Sequence, residues 1–174
     1  MRSGRLRTRL SILEAGIETG KLWADVRPPL EAGEAKGLRE NAQTKVIIRP
    51  HPGIHPGLIL TGQGYTLVVE SEGDRLALSK ETHLTCTRLI GTAATYVQVN
   101  GTETEVLAHV SVNTPYIGLN GQLMDFRYRI EIPTHQAPGS WQPGDKITVG
   151  TLEYTLTGLA EDGNDGIITA YTAA

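Results

Sequence analysis

The chain holds one cysteine, Cys86, and one phenylalanine, Phe126, in 174 residues, and its apolar residues are nowhere gathered into a long run. A single thiol excludes an internal disulfide framework and any zinc site built from cysteines. A membrane-spanning helix needs about 20 consecutive apolar residues, and Met1-Arg2-Ser3-Gly4-Arg5 runs into further charge instead of the apolar core of a signal peptide. The expectation is a soluble protein of a reducing cytosol, with no membrane partner. Aromatic residues are scarce too, at 5% of the chain.

What the chain has in quantity is punctuation, with 20 Gly and 9 Pro. Its length allows one mid-sized domain or two small ones. Charge is uneven: residues 1–49 carry ten Lys/Arg against six acids, a net of +4, whereas residues 50–174 carry six against thirteen, a net of -7. A basic leading end on an acidic body fits attraction to nucleic acid, and equally a head-to-tail contact between copies of the chain.

Between the glycines and prolines the dominant period is 2, the period of a strand. From Arg5 to Leu13 the residues Leu6, Thr8, Leu10 and Ile12 alternate with Arg5, Arg7, Arg9 and Ser11, which puts three guanidinium groups on one face. Leu22 to Arg27 is a second strand, stopped by Pro28-Pro29 because neither proline can donate to a ladder. Residues 30–44, rich in Ala, Glu, Lys and Arg but interrupted by Gly33 and Gly37, are expected to form a short helix or a long loop. Lys45–Arg49, Leu58–Thr61, Tyr65–Val69 and Leu76–Leu78 follow as short strands. After Lys80 the pattern restarts: Tyr96–Val99 leads through Asn100-Gly101 into Glu103–Val112, and Phe126, Tyr128, Ile130 and Ile132 alternate with Arg127, Arg129 and Glu131. Lys146–Val149, Tyr154–Leu156 and Ile167–Tyr171 complete the series.

The halves read as weak copies of each other. Val46-Ile47-Ile48-Arg49-Pro50, a Pro/His/Gly connector, Leu58-Ile59-Leu60-Thr61-Gly62 and Tyr65-Thr66-Leu67 occur in one order. Arg129-Ile130-Glu131-Ile132-Pro133, a second such connector, Ile147-Thr148-Val149-Gly150 and Tyr154-Thr155-Leu156 repeat it. The expected fold is therefore all-β: two small antiparallel barrels or sandwiches in tandem, residues 1–82 and 83–174, with the long loop or short helix in the first.

Few residues suggest chemistry. His51 and His55 have the spacing of a helical zinc pair, but Pro52, Gly53 and Pro56 deny them a helix and no Glu follows His51. His83, His109 and His135 stand alone. Cys86, alternating with threonines, reads as a small buried residue. Glu161-Asp162-Gly163-Asn164-Asp165-Gly166 resembles half a calcium loop but lacks its order and its downstream glutamate, so a tight acidic turn is expected. No nucleophile elbow and no phosphate-binding Gly-x-x-x-x-Gly-Lys loop is present. The basic strand from Arg5 to Arg9 admits three readings: a salt-sensitive phosphate-backbone contact, a charged edge that resists unwanted pairing, or a contact between subunits.

The opening Ser3-Gly4-Arg5-Leu6-Arg7-Thr8-Arg9-Leu10-Ser11-Ile12-Leu13, then Gly20-Lys21-Leu22-Trp23-Ala24-Asp25-Val26-Arg27-Pro28, then Val46-Ile47-Ile48-Arg49 and Gly64-Tyr65-Thr66-Leu67, together resemble tailed-bacteriophage head-tail joining proteins, also called head-closure or head-tail adaptor proteins. The resemblance covers about residues 3–78. Pro143-Gly144-Asp145-Lys146-Ile147-Thr148-Val149-Gly150-Thr151-Leu152-Glu153-Tyr154 is similar to the end of the phage tail-attachment proteins, another joining family.

The resemblance implies a structural virion protein of the neck, not an enzyme and without cofactors. It would be assembled in the host cytoplasm as a hexameric or dodecameric ring that closes the head after DNA packaging. Its partners would be further copies of itself, the portal or an adaptor, a tail terminator or other neck protein, and the phosphate backbone of packaged DNA. The candidate interface is Arg5, Arg7, Arg9, Trp23, Glu31, Lys36 and Arg39 in the first half with Arg127 and Arg129 in the second; catalytic, cofactor and metal residues are none. Residues 30–44 would order on docking. The alternative is a small-ligand or carbohydrate-binding β module serving as a capsid or tail accessory domain.

Overall fold

Inward and outward residues alternate from the first strand onward, and that alternation builds the whole molecule. The computed structural model describes residues 6–14, 16–30, 35–73, 80–112, 116–117, 123–124, 126–136, 141–159 and 167–173; for 35–36, 116–117, 123–124, 126–127, 159 and 173 it describes the backbone alone. Strand β1 (Thr8–Glu14) buries Leu10 and Ile12, and β2 (Ile17–Arg27) buries Leu22 and Ala24 while exposing Lys21 and Trp23. Then come β3 (Ala35–Lys36), β4 (Arg39–Ile48), β5 (Ile59–Gly62), β6 (Tyr65–Glu72) and β7 (Thr82–Leu89). Gln63 and Gly64, at φ 50° and 80°, make the two-residue turn between β5 and β6, the positive-φ pair that matches strand twist in a tight hairpin.

The second series is β8 (Thr92–Val97), β9 (Glu103–Val112), β10 (Tyr116–Ile117), β11 (Leu123–Met124), β12 (Phe126–Pro133), β13 (Lys146–Val149), β14 (Leu152–Leu159) and β15 (Ile167–Ala173). The fold is all-β, and among the described residues there is no helix, hence none long and apolar enough to cross a membrane. The chain divides into two compact units, Met1–Ile90 and Gly91–Ala174.

Each unit closes into a six-stranded antiparallel ring. In the first the order is β1-β2-β4-β7-β6-β5, with β3 as an appendage on β4; the β2–β4 and β1–β5 pairings complete the circuit. In the second it is β8-β9-β12-β15-β14-β13. Numbered within its own unit, each ring reads 1-2-3-6-5-4. The registers agree as well. Leu10 pairs with Leu22 and Ala94 with Val106; Ile12 pairs with Leu60 and Tyr96 with Ile147. Val26 pairs with Val46 and Val110 with Ile130; Val69 pairs with Cys86 and Leu156 with Thr172. The entry to the fourth strand repeats too: Gly57 N donates to Val69 O and Val69 N to Leu58 O, while Gly144 N donates to Leu156 O and Leu156 N to Asp145 O, all at 2.8 Å. The two barrels share one architecture, and equivalent residue pairs recur in every ladder around the circuit.

This register adjusts the repeat read from the sequence. Val46 corresponds to Ile130, one residue on from the sequence match, and Leu67 to Tyr154, two residues on from the Tyr65–Tyr154 match, because pairing across strands, not letter identity, sets equivalence. The boundary moves as well. A division at 82/83 would cut β7 from β4 and β6, both of which it pairs with, so the first unit runs to Ile90. Nor do the described residues of 30–44 form a helix or one long loop; residues 31–34 lie outside the described residues. Lys36 and Arg39 pair around a tight turn in which Gly37 has φ 71°, and β4 has already begun at Arg39, with Leu38, Glu40 and Thr44 buried. Ladder partners on β7 decide that segment over its helix-forming composition.

The first core holds Leu10, Ile12, Leu22, Val46, Ile48, Leu58, Leu60, Leu67 and Leu84 among others, and the second centres on Tyr96, Ile130, Ile132, Ile147 and Leu156. Where the first barrel has Ile12 and Leu58, the second has Tyr96 and Asp145, a buried, hydrogen-bonded polar pair in place of two apolar side chains.

Candidate interface on the first barrel

Leu10 and Ile12 point into the core, so Arg9 must point out of it, and its partner across the β1–β2 ladder is Trp23. Trp23 is 54% exposed, the indole standing on the outer face beside Lys21. Arg7, also exposed, lies two residues before Arg9 on the same extended run. Lys21 Nζ is 3.3 Å from Glu18 Oε1, an exposed pair whose stabilising effect is small.

β2 pairs with β1 over Ile17–Ala24 but with β4 only over Ala24–Arg27. Before Ala24 the second edge of β2 has no strand against it among the described residues. The chain leaving β4 diverges at Arg49-Pro50-His51, and Pro50 has no N–H to extend a ladder. Between the free edge and the departing segment lies a groove of about 500 Å³ lined by Leu6, Lys21, Leu22, Trp23, Arg49, Pro50 and His51. Gly53 N donates to His51 Nδ1 at 3.2 Å, which leaves Nε2–H as the imidazole donor. Every polar side chain lining the groove therefore offers a donor: ammonium, guanidinium, imidazole N–H and indole N–H.

The second barrel has the same edge and treats it differently. Leu107 is the register equivalent of Trp23, since Ala93–Leu107 corresponds to Arg9–Trp23. Leu107 N donates to Gln136 Oε1 at 2.6 Å, so a side chain from beyond β12 occupies the position a strand would take. Counting on from the equivalent Ile48 and Ile132, the first barrel has Pro52 where the second has Gln136, and proline has no amide with which to do this. A concavity of about 500 Å³ lined in part by Glu105, Leu107 and Gln136 lies along this edge too, so the barrels differ here in one backbone amide that a side chain covers.

The structure gathers Arg7, Arg9 and Trp23 into one surface. Arg39 lies elsewhere, at the opposite end of β4, its Nη1 3.7 Å from Glu70 Oε1. Arg129 is on the second barrel, its Nη2 2.9 Å from Glu131 Oε1. Arg5, Glu31 and the acidic turn 161–166 lie outside the described residues, as do the side chains of Lys36 and Arg127. Sequence reasoning missed Lys21, Arg49 and His51. Lys21 was legible as an outward residue two before Trp23, but Arg49 and His51 join it only because β4 leaves β2 where it does.

Other titratable groups are built into the cores. Cys86 is fully buried, and burial first, then the Glu70 charge, pushes its thiol up to about 12, which makes it a packing residue and not a nucleophile at neutral pH. Asp145 is 1% exposed and accepts from Tyr96 Oη–H, from Gln142 N at 2.8 Å and from Val99 N at 2.9 Å. Burial alone would raise its pKa, but these three hydrogen bonds outweigh burial and hold it below the usual carboxylate value. Burial also deters protonation of His135, the counterpart of His51, and lowers its pKa. Comparison with protein-family models, curated proteins and solved structures finds no match to this chain.

Proposed function

We propose that the protein is a structural component of a tailed-phage neck, a ring that joins head to tail and closes the head on packaged DNA. The observation that carries this reading is the exposed, cationic Arg7–Arg9–Lys21–Trp23 face beside an open strand edge, on one of two barrels of identical architecture. Such a face supplies docking chemistry: an indole anchor within a ring of charge, next to backbone groups able to accept a partner. The resemblance of residues 3–78 to head-tail joining proteins supports the same assignment, and the strands that carry its motifs, β1, β2, β4 and β6, build this barrel. Unit charge favours assembly between unlike surfaces. Residues 1–90 hold thirteen Lys/Arg against ten acids, a net of +3, and residues 91–174 hold three against nine, a net of -6. A carbohydrate module is less well supported, because sugar recognition favours stacked aromatic platforms and this groove offers one indole among cations.

Replacing Arg7 and Arg9 together by Glu tests the reading. Both side chains are exposed, so the thermal melt is expected to stay within about 1 kcal/mol of the parent. Particle assembly is expected to fall about tenfold or more as attraction becomes repulsion, and wild-type docking should weaken as salt rises. Normal infectious-particle yield from the double variant would overturn the docking role of this face.

A further inference from the structure

The two barrels present the same free strand edge with opposite charge. Position for position, Lys21 on β2 corresponds to Glu105 on β9, because Ser11–Lys21 and Thr95–Glu105 are equivalent ladder pairs. β9 pairs with β8 over Glu103–Ala108 and with β12 only from His109 onward, so Glu103–Glu105, like Lys21–Trp23, has an edge without a strand against it among the described residues. Alternation along a strand sends the N–H groups of Glu103 and Glu105 the same way as that of Leu107, toward this edge. Gln136 satisfies Leu107 and stops there. Glu103 and Glu105 are exposed.

We infer that the free β2 edge of one copy pairs antiparallel with the free β9 edge of a second copy, Lys21 lying opposite Glu105 and Trp23 opposite Glu103. The inference rests on the reading of the chain as a ring-former and names the contact that builds the ring. Because the two edges are equivalent elements of one architecture, a local two-fold axis relates them, and in this register the axis passes through the Lys21 position, where Lys21 meets its own equivalent, Glu105. Were both edges of the same barrel type, that axis would set Lys21 against Lys21, or Glu105 against Glu105. Like charges directly opposite are destabilising. The charge reversal therefore selects first barrel against second barrel. Each copy then has one edge of each kind, and the contact is heterologous, the class that propagates and closes into rings. Arg49 and His51 on the far wall of the groove add donors for the two incoming carboxylates. Trp23, exposed in the single chain, becomes covered.

The test is sedimentation velocity at low salt on the full chain as wild type, Lys21→Glu, Glu105→Lys and the double variant, each with a thermal melt. Wild type is expected to form oligomers in a concentration-dependent way. Each single reversal is expected to weaken association about tenfold without moving the melt, since both positions are exposed. The double variant is expected to associate again, its salt bridge restored with the signs exchanged. A wild type that stays at single-chain mass at every concentration, single reversals that associate as well as wild type, or a double variant no better than either single would each overturn the contact. Imaging separates the two ideas. Wild-type chain at the neck together with an indifferent Lys21→Glu variant overturns this edge contact alone. A reversal-and-rescue pattern in a chain found away from the neck overturns the neck assignment alone.

Discussion

A fragment of residues 1–90 is expected to fold into a cooperative all-β unit, and a fragment of residues 1–82 is expected not to. The eight residues between the two ends carry nearly all of β7, which bridges β4 and β6 and closes the first ring. Removing them strips Leu84, Cys86 and Leu89 from the core, each almost fully buried. At about 1.5–3 kcal/mol per large apolar side chain, the burial lost is roughly 5 kcal/mol before any ladder hydrogen bond is counted. A domain of this size has about 5–10 kcal/mol in all. The cut also leaves the edges of β4 and β6 bare, which invites aggregation. Residues 91–174 should fold alone, because their ring is complete without the first unit. Circular dichroism and thermal melting of the fragments check this. A cooperative melt for 1–82, or none for 1–90, would contradict the assignment of β7 as the closing strand.

Asp145→Ala is expected to destabilise the second barrel by about 3–5 kcal/mol, close to its whole stability, while the first barrel melts as before. Three donors lose their acceptor together: the Tyr96 hydroxyl, Gln142 N and Val99 N. They tie β8, the 98–102 connection and the turn before β13 to one carboxylate. The first barrel fills the same positions with Ile12 and Leu58 and needs no polar partner, so Tyr96→Ile combined with Asp145→Leu should recover part of the loss. Asp145 also makes the second barrel acid-sensitive. Its folded pKa lies below the ordinary 3.8, so its contribution is intact above about pH 4 and is lost as pH falls through the folded value. His135 acts earlier: its folded pKa is below the ordinary 6.5, so below pH 6.5 the unfolded chain takes up a proton that the folded barrel resists, and stability declines. Melts of 91–174 between pH 7 and 3 should show both losses. In Asp145→Asn the step at the lower pH should vanish, and a wild-type melt flat across that range would contradict the roles of both groups.

Much of this fold was legible in residue order, and the reasons for the remainder are local. Glu103–Val112 and the alternation from Phe126 to Ile132 mark β9 and β12 because each strand has one face in the core and one in water, which prints period 2 on the sequence. Arg39 to Thr44 carried no such print. Their strand state comes from pairing with β7, more than forty residues away in sequence, and a run of Arg, Glu, Asn, Ala and Gln has no strand preference of its own. The hairpin expected at Asn100-Gly101 is longer than two residues, since the last ladder pair is Val97 with Glu103 and Gln98 N bonds Thr102 O across the loop. Of the candidate interface, Arg9 and Trp23 could be read singly as outward residues. That they stand opposite each other follows from the β1–β2 register, and that Arg49 and His51 join them follows from where Pro50 turns the chain away. That Gln136 covers the Leu107 amide where the first barrel has Pro52 is a comparison possible only once the two rings are aligned through their ladders.

Imaging of assembled particles that carry a labelled copy of the chain checks the proposal that it forms the ring at the neck of a tailed phage. Label is expected at the single vertex where head meets tail, in several symmetry-related copies around the channel, with tail-less heads when Arg7 and Arg9 are both replaced by Glu. Label spread over the capsid surface or along the tail, or particles that assemble fully without the chain, would contradict it.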